Sequence, residues 1–178
     1  MDINELVFFI IFGFVIIQRI IELFIAKRNE EWIKSQGGYE VGKRHYPFMV
    51  VMHVGFFISL LLEFTLLDRG LTLFLIPLLI VFAITQLIRI WILSSLGRFW
   101  NTKIMILPGA SVVKKGPFQF MRHPNYTIVA LELLVIPLMF NAFITVLVFS
   151  LLNLWMLSVR IPIEEAALSE DTNYKEVF

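Results

Sequence analysis

At 178 residues the chain has the length of one ordinary domain, yet 58% of it is hydrophobic and only 16% is charged, against roughly a quarter charged in soluble domains. A water-soluble fold of this size is therefore excluded, and a net charge of +1 with no large basic run gives no reason to expect a nucleic-acid partner. The absence of cysteine removes disulfides, thiolate metal sites and a cysteine nucleophile.

The chain opens with "MDINELVFFIIFGF". Acids stand where a cleaved leader carries positive charge, and no small-residue cleavage site follows, so the segment reads as a retained first span. Crossing a hydrocarbon core of about 30 Å takes about 20 apolar residues, and spans are expected over about 6–25, 48–67 and 71–93. The second and third are joined through "DRG" (68–70) as a tight antiparallel hairpin. The apolar stretch 126–159 would reach about 50 Å as a single helix, more than one crossing requires. It is either one tilted helix kinked at Pro137 or two helices, 126–140 and 142–159, turning at "FNA" (140–142). Asn141 as a turn residue and Pro137 as a helix breaker favour two. The expected fold is an all-α integral membrane protein of about five transmembrane helices in a single domain over 1–178, the last two helices forming a hairpin.

Basic residues set the sidedness. Lys27, Arg28, Lys34, Lys43 and Arg44 fall in the loop 26–47; Arg98, Lys103, Lys114, Lys115 and Arg122 fall in the loop 94–125; Arg160 and Lys175 fall in the tail. With five helices all of these share one face, and only Arg69 lies opposite. That face is expected to be cytoplasmic in a multi-pass protein of the cell membrane, with the N-terminus outside. The same arrangement brings the long loop and the tail together.

The loop contains "IMILPGASVV", whose β-branched and apolar residues around Pro108-Gly109 predict a short local hairpin. It continues into "GPFQFMRHPNY" (116–126). Pro124 suits the first turn of the following helix, which places Arg122 and His123 among orphan backbone N–H groups that favour a negatively charged ligand group. Singly, Arg122 could snorkel to lipid phosphates and Tyr126 could anchor at the interface; four such residues at this spacing point to chemistry. In the tail, "RIPIEEAALSEDTNYKEVF", Pro162 suits the start of another helix with Glu164 and Glu165 in its first turn. Capping accounts for one glutamate, but neighbours on a helix point about 100° apart. One of the pair is a natural partner for Arg122; the other is left for a ligand hydroxyl or ammonium.

Ionisable groups inside spans are functional candidates. Glu63, near the outer end of its span, is placed to reach water, and Arg89, near the cytoplasmic end of its own, to snorkel. Arg19 and Glu22 lie three apart and are expected to pair. Glu132 is expected either to bond Arg89 or Arg19 or to serve near an acceptor. His53 reads as a donor between helices. His45, His53 and His123 show no metal-ligand spacing, and no metal is expected.

The "GPFQFMRHPNY" segment, a helical hairpin and then Arg160, Glu164, Glu165 and Leu168 resemble the isoprenylcysteine carboxyl methyltransferase family of integral membrane enzymes, strongly over 97–168 and weakly over the first ninety residues. The resemblance implies methyl transfer from S-adenosylmethionine, with the cofactor held on the cytoplasmic side within about 97–178. It implies a cofactor site of Arg122, His123, Pro124, Tyr126 and Glu165, in which His123 and Tyr126 contact the cofactor, Glu164 or Glu165 takes its ribose or amino group, and Arg122 locks loop to tail. Arg160 and Glu164 are then the catalytic candidates, with Arg160 positioning the acceptor. The tail "SEDTNY" departs from the family's F-G-x-x-Y, so Tyr174 is not assigned. The short chain resembles small bacterial members that O-methylate alkylpyrones and phenolic lipids, so the expected partners are a lipophilic acceptor reached through the bilayer and membrane lipids. Isoprenylcysteine carboxylate is the alternative acceptor. A sterol-type NADPH reductase and a non-catalytic membrane scaffold are the competing functions; no strand-associated G-x-G-x-x-G is present to suggest a soluble nucleotide-binding fold.

Overall fold

The computed structural model describes residues 2–178. Five long helices account for most of it: α1 Ile3–Ser35, α2 Tyr46–Leu66, α3 Leu75–Leu96, α4 Pro124–Leu138 and α5 Phe143–Asp171. A final turn, α6 Tyr174–Val177, and two short strands, β1 Tyr39–Val41 and β2 Ile104–Ile106, complete it. α1, α2, α3 and α5 are each long and apolar enough to cross a membrane, and α4 is a shorter apolar helix. Large side chains such as Phe24, Leu66, Ile76 and Leu147 point outward, where lipid tails rather than protein meet them. This is an all-α membrane protein whose last two helices form a hairpin.

Aromatic packing holds the end of the bundle remote from the long loops. Phe8 of α1 stacks on Phe64 of α2 with ring centroids 3.8 Å apart and meets Phe140 of the α4–α5 turn edge-on at 4.9 Å. Asn141 adopts the left-handed conformation (φ 52°) that closes that turn, and its amide donates to the Gly70 carbonyl at 3.0 Å. The connection between α2 and α3 is wider than a three-residue hairpin, because α3 starts only at Leu75; the backbone N–H of Thr72 donates to the Met139 carbonyl instead. Glu63 is buried rather than wet. Its carboxylate accepts from the backbone N–H groups of Ile144 (3.1 Å) and Thr145 (2.7 Å) and from the Thr145 hydroxyl (2.8 Å). It caps the positive N-terminus of α5 from a neighbouring helix.

The centre of the bundle carries a four-membered ionic cluster. Arg89 is 2% exposed and does not snorkel: it donates to Glu22 at 3.1 Å and to Glu132 through Nε at 3.1 Å and again through Nη2. Arg19 pairs with Glu22 at 2.7 Å and also with Glu132. Gln18 and Gln86 donate to the same two carboxylates. The set is neutral, two arginines against two glutamates, which is the condition under which charges persist in an apolar interior. It joins α1, α3 and α4, and it fixes Glu132 in a structural bond.

At the opposite end the loops pack on each other. The "IMILPGASVV" segment does not fold back locally: Ile104–Ile106 pairs antiparallel with Tyr39–Val41 from the preceding loop, Glu40 opposite Met105. The expected loop 26–47 is also reduced, since α1 runs on to Ser35. Asn29 in that extension donates to the Trp100 carbonyl at 2.7 Å, tying α1 to the entry of the long loop. Ile104 and Ile106 are buried against Ala167 of α5. The strand pair is thus a floor on which the C-terminal part of α5 rests.

Candidate functional site

Two local features aim the site residues. Gly116 has φ +58°, and a Cβ there would stand 2.2 Å from the Ser95 hydroxyl oxygen; only glycine lets the chain turn so close to α3. Pro124 then begins α4 and is fully buried, holding His123 at the N-cap. On the other side, α5 continues without a break through Pro162 to Asp171. The tail therefore starts no new helix at Pro162, and Glu164 and Glu165 project from the C-terminal third of a long one. Arg160 and Glu164 lie one turn apart, so they face the same way.

Loop and tail meet through paired contacts. His123 donates from Nε2 to Glu165 at 2.9 Å, and its other ring nitrogen is 3.9 Å from Glu164. The Tyr126 hydroxyl donates to Glu164 and accepts from Arg160 Nε at 2.8 Å. The His123 and Tyr126 rings stack at 5.4 Å. Arg160 is 4% exposed; its remaining nitrogens reach the Met49 sulfur at 3.0 Å and the Thr102 carbonyl. Arg122 is half exposed. It donates to the Phe178 carbonyl at 2.8 Å and lies 3.8 Å from Glu165, so its firm hold on the tail is the backbone of Phe178, with the glutamate second.

Of the seven residues singled out in the sequence, five form two hydrogen-bonded sets, His123 with Glu165 and Tyr126 with Glu164 and Arg160, joined by the stacked rings, with Pro124 and Arg122 framing them. The sequence reading left Tyr174 unassigned and missed Met49 and Thr102. Tyr174 is buried and donates to Glu165 at 3.0 Å; an "NYKEVF" ending without the family's glycine gave no local signal for it. Met49 and Thr102 reach Arg160 from α2 and from the loop, and nothing in their surroundings in the sequence marks them.

The hydrogen bond from His123, joined by that from Tyr174, holds the Glu165 carboxyl below the usual carboxylate range. Burial and the bond to Glu165 push Tyr174 up to about 12. The depressed Glu165 contributes to tail docking fully above the ordinary carboxylate value, about 4.3, and that contribution drains away as pH falls through the lowered value. Amide-exchange protection of residues 165–178 is therefore expected to drop on acidification below about pH 4 while the bundle core stays protected. In Glu165→Gln the protection should be weaker at neutral pH and should no longer respond to acid through this step.

Behind Tyr126 and Arg160 opens a cavity of about 310 Å³, which runs inward past Met49 and His53 to Asn153 and Arg19. Its mouth carries the loop and tail groups and its walls are largely apolar. A second, open cleft lies between Arg122, Glu165, Tyr174 and Phe178. Free carboxylate oxygens at the mouth suit hydroxyl or ammonium donors, and Arg160 suits an oxygen bearing negative charge. Among the described residues no group of three or more His, Asp or Glu side chains could hold a metal ion.

Residues 77–170 match the model of the isoprenylcysteine carboxyl methyltransferase (ICMT) family. Bacillus subtilis (strain 168) has a relative, described as uncharacterized protein YpbQ, that is 43% identical over 163 residues, covering 92% of this chain and 97% of that protein. An uncharacterized protein of Haemophilus influenzae is 31% identical over 163 residues, covering 90% and 94% of the two chains. No solved structure is a significant match.

Proposed function

Because the chain belongs to the isoprenylcysteine carboxyl methyltransferase family, whose members are S-adenosylmethionine-dependent membrane methyltransferases, we propose that it transfers a methyl group from S-adenosylmethionine to an oxygen of a lipophilic acceptor. The observation that carries this reading is the pairing of loop with tail, His123 to Glu165 and Tyr126 to Glu164, at the mouth of an apolar cavity.

The residues present fit the cofactor. Glu164 and Glu165 each keep an oxygen for its ammonium or ribose hydroxyls, the half-exposed Arg122 can take its carboxylate, and the stacked His123 and Tyr126 rings offer a face to its flat or cationic parts. When bound, S-adenosylmethionine supplies an electrophilic methyl on a sulfonium. The chain's own residues do the positioning. Arg160, held by Met49, Thr102 and Tyr126, steadies negative charge on the acceptor oxygen; Glu164 orients Tyr126 and with it Arg160; the largely apolar walls limit water around the reacting oxygen. An alkylpyrone or phenolic lipid is the acceptor class we favour, entering from the bilayer, with the cofactor side facing the cytoplasm in the cell membrane and the N-terminus outside.

Equilibrium binding to the detergent-purified protein tests the reading, with S-adenosylmethionine and NADPH as parallel ligands. Saturable binding of S-adenosylmethionine is expected, weakened at least tenfold in His123→Ala and in Glu165→Ala, about 1.4 kcal/mol. Binding of NADPH alone would assign the fold to a reductase, and binding of neither to folded protein would leave a scaffold.

A further inference from the structure

His53 has no part in the arrangement above, yet it lines the same cavity. Its Nδ1 lies 2.8 Å from the Met49 carbonyl of its own helix, so it is not a donor between helices as the sequence suggested. A carbonyl oxygen can only accept, so Nδ1 carries the hydrogen and Nε2 is left with a lone pair. Nε2 has no hydrogen-bond partner among the described residues and keeps some accessible surface, and the residue lines the cavity. Met49 itself touches Arg160, and His53 lies one helical turn, about 6 Å, deeper along α2.

Of the other groups along this cavity that could take a proton, the deep ones are already engaged, and those that keep a free acceptor atom, His123 at Nδ1 and Glu164 at one oxygen, stand at the mouth. Glu22 has both oxygens filled by Arg19, Arg89 and Gln18. His123 is bonded to Glu165, and Tyr126 to Glu164 and Arg160. Glu164, at the mouth, holds Tyr126 and faces the proposed cofactor position. Around His53 stand Arg19 from α1, Glu132 from α4 and Arg160 from α5, with Arg89 of α3 beyond them in the ionic cluster.

Building on the proposed methyl transfer, we infer that His53 is the proton acceptor for a hydroxyl-bearing lipid, and so a catalytic residue. The acceptor's O–H bond breaks with its electron pair left on oxygen, and the proton goes to Nε2. That oxygen pair forms the new O–C bond while the methyl's bond to sulfur breaks onto sulfur, and the proton leaves His53 for water after product departs. A carboxylate acceptor is ionised at neutral pH and needs no such group, whereas a phenol, with a pKa of about 10, does. The site therefore suits a weakly acidic phenolic hydroxyl rather than a lipid carboxylate.

The test compares the full-length detergent-purified protein with His53→Asn, which keeps a donor for the Met49 carbonyl but offers no base. Three probes are used: pentadecylresorcinol for methyl transfer, a farnesylcysteine carboxylate as the acid acceptor, and a long-chain alkyl nitrophenol whose colour reports ionisation when bound without cofactor. In the variant, kcat/KM on the resorcinol should fall about 100-fold at neutral pH, and the deficit should shrink as pH approaches the phenol's own ionisation. The bound nitrophenol should ionise about one to two pH units higher than in the unsubstituted protein, with S-adenosylmethionine affinity unchanged. An unaltered pH profile and unaltered nitrophenol ionisation would overturn the inference and leave the methyltransferase standing, as would transfer to the farnesylcysteine carboxylate but not to the resorcinol. Failure of the unsubstituted protein to bind S-adenosylmethionine at all would overturn both.

Discussion

Glu132→Ala is expected to lower the stability of the bundle by about 3–5 kcal/mol, read as an earlier midpoint of unfolding by sodium dodecyl sulfate in mixed micelles. The carboxylate accepts from Gln86 at 2.7 Å, from Arg89 twice and from Arg19. Without it two arginines share Glu22 alone, and Arg89, 2% exposed, has little solvent contact to compensate. The magnitude reflects the stranded cation rather than the worth of the bond, because the cost of desolvating an ion is large and its return comes only from a partner. Adding Arg89→Ala to Glu132→Ala should therefore cost much less than the two single losses summed. Strict additivity in that cycle would show that the two side chains act independently.

Arg160→Ala should lower methyl transfer about 100- to 1000-fold, measured as single-turnover transfer to a phenolic lipid with S-adenosylmethionine saturating. The guanidinium is positioned by three protein groups, the Tyr126 oxygen, the Met49 sulfur and the Thr102 carbonyl, so its charge is fixed before any acceptor arrives. Truncation also leaves the Tyr126 oxygen and the Thr102 carbonyl without this donor, at about 1–3 kcal/mol, and some loss of thermal stability should accompany the loss of rate. Arg160→Lys separates the two effects. It keeps a positive charge but cannot reproduce the fork, so it should recover part of the rate while leaving the stability loss largely in place. Equal rates for Arg160→Ala and the unsubstituted protein would remove Arg160 from the chemistry.

The parts of the site that were legible in the sequence are those whose residue types admit few explanations in an apolar chain. A proline-led helix start flanked by Arg122, His123 and Tyr126, and a second segment with two adjacent carboxylates, satisfy each other's hydrogen-bonding needs, and the fold joins them. Burial was harder to read. Arg89 and Glu63 sit near helix ends, where depth alone suggests water; whether a charge snorkels or stays inside depends on what the neighbouring helices present, and that pairing is non-local. The strands show the same limit. Pro108-Gly109 is a strong local turn signal, but Ile104–Ile106 finds its partner more than sixty positions earlier, because burying that face against Ala167 satisfies more apolar surface than a solvent-facing hairpin would. Tyr174 escaped because the motif around it is altered while its hydroxyl still reaches Glu165.

The charge balance of the central cluster also bears on how the chain is assembled as it is made. α1 and α3 together bring Arg19, Arg89 and Glu22, a net single positive charge, and the fourth member arrives only with α4. During synthesis the first three helices thus carry one uncompensated cation in the apolar layer until the last hairpin enters. α4 is short and bears an acid at its middle, a poor candidate for insertion by itself; the waiting arginines offer Glu132 the partner that makes its entry favourable. The last hairpin and the earlier helices complete each other electrically, so in a chain truncated before α4 the first three helices should pack less tightly around an Arg89 that lacks Glu132.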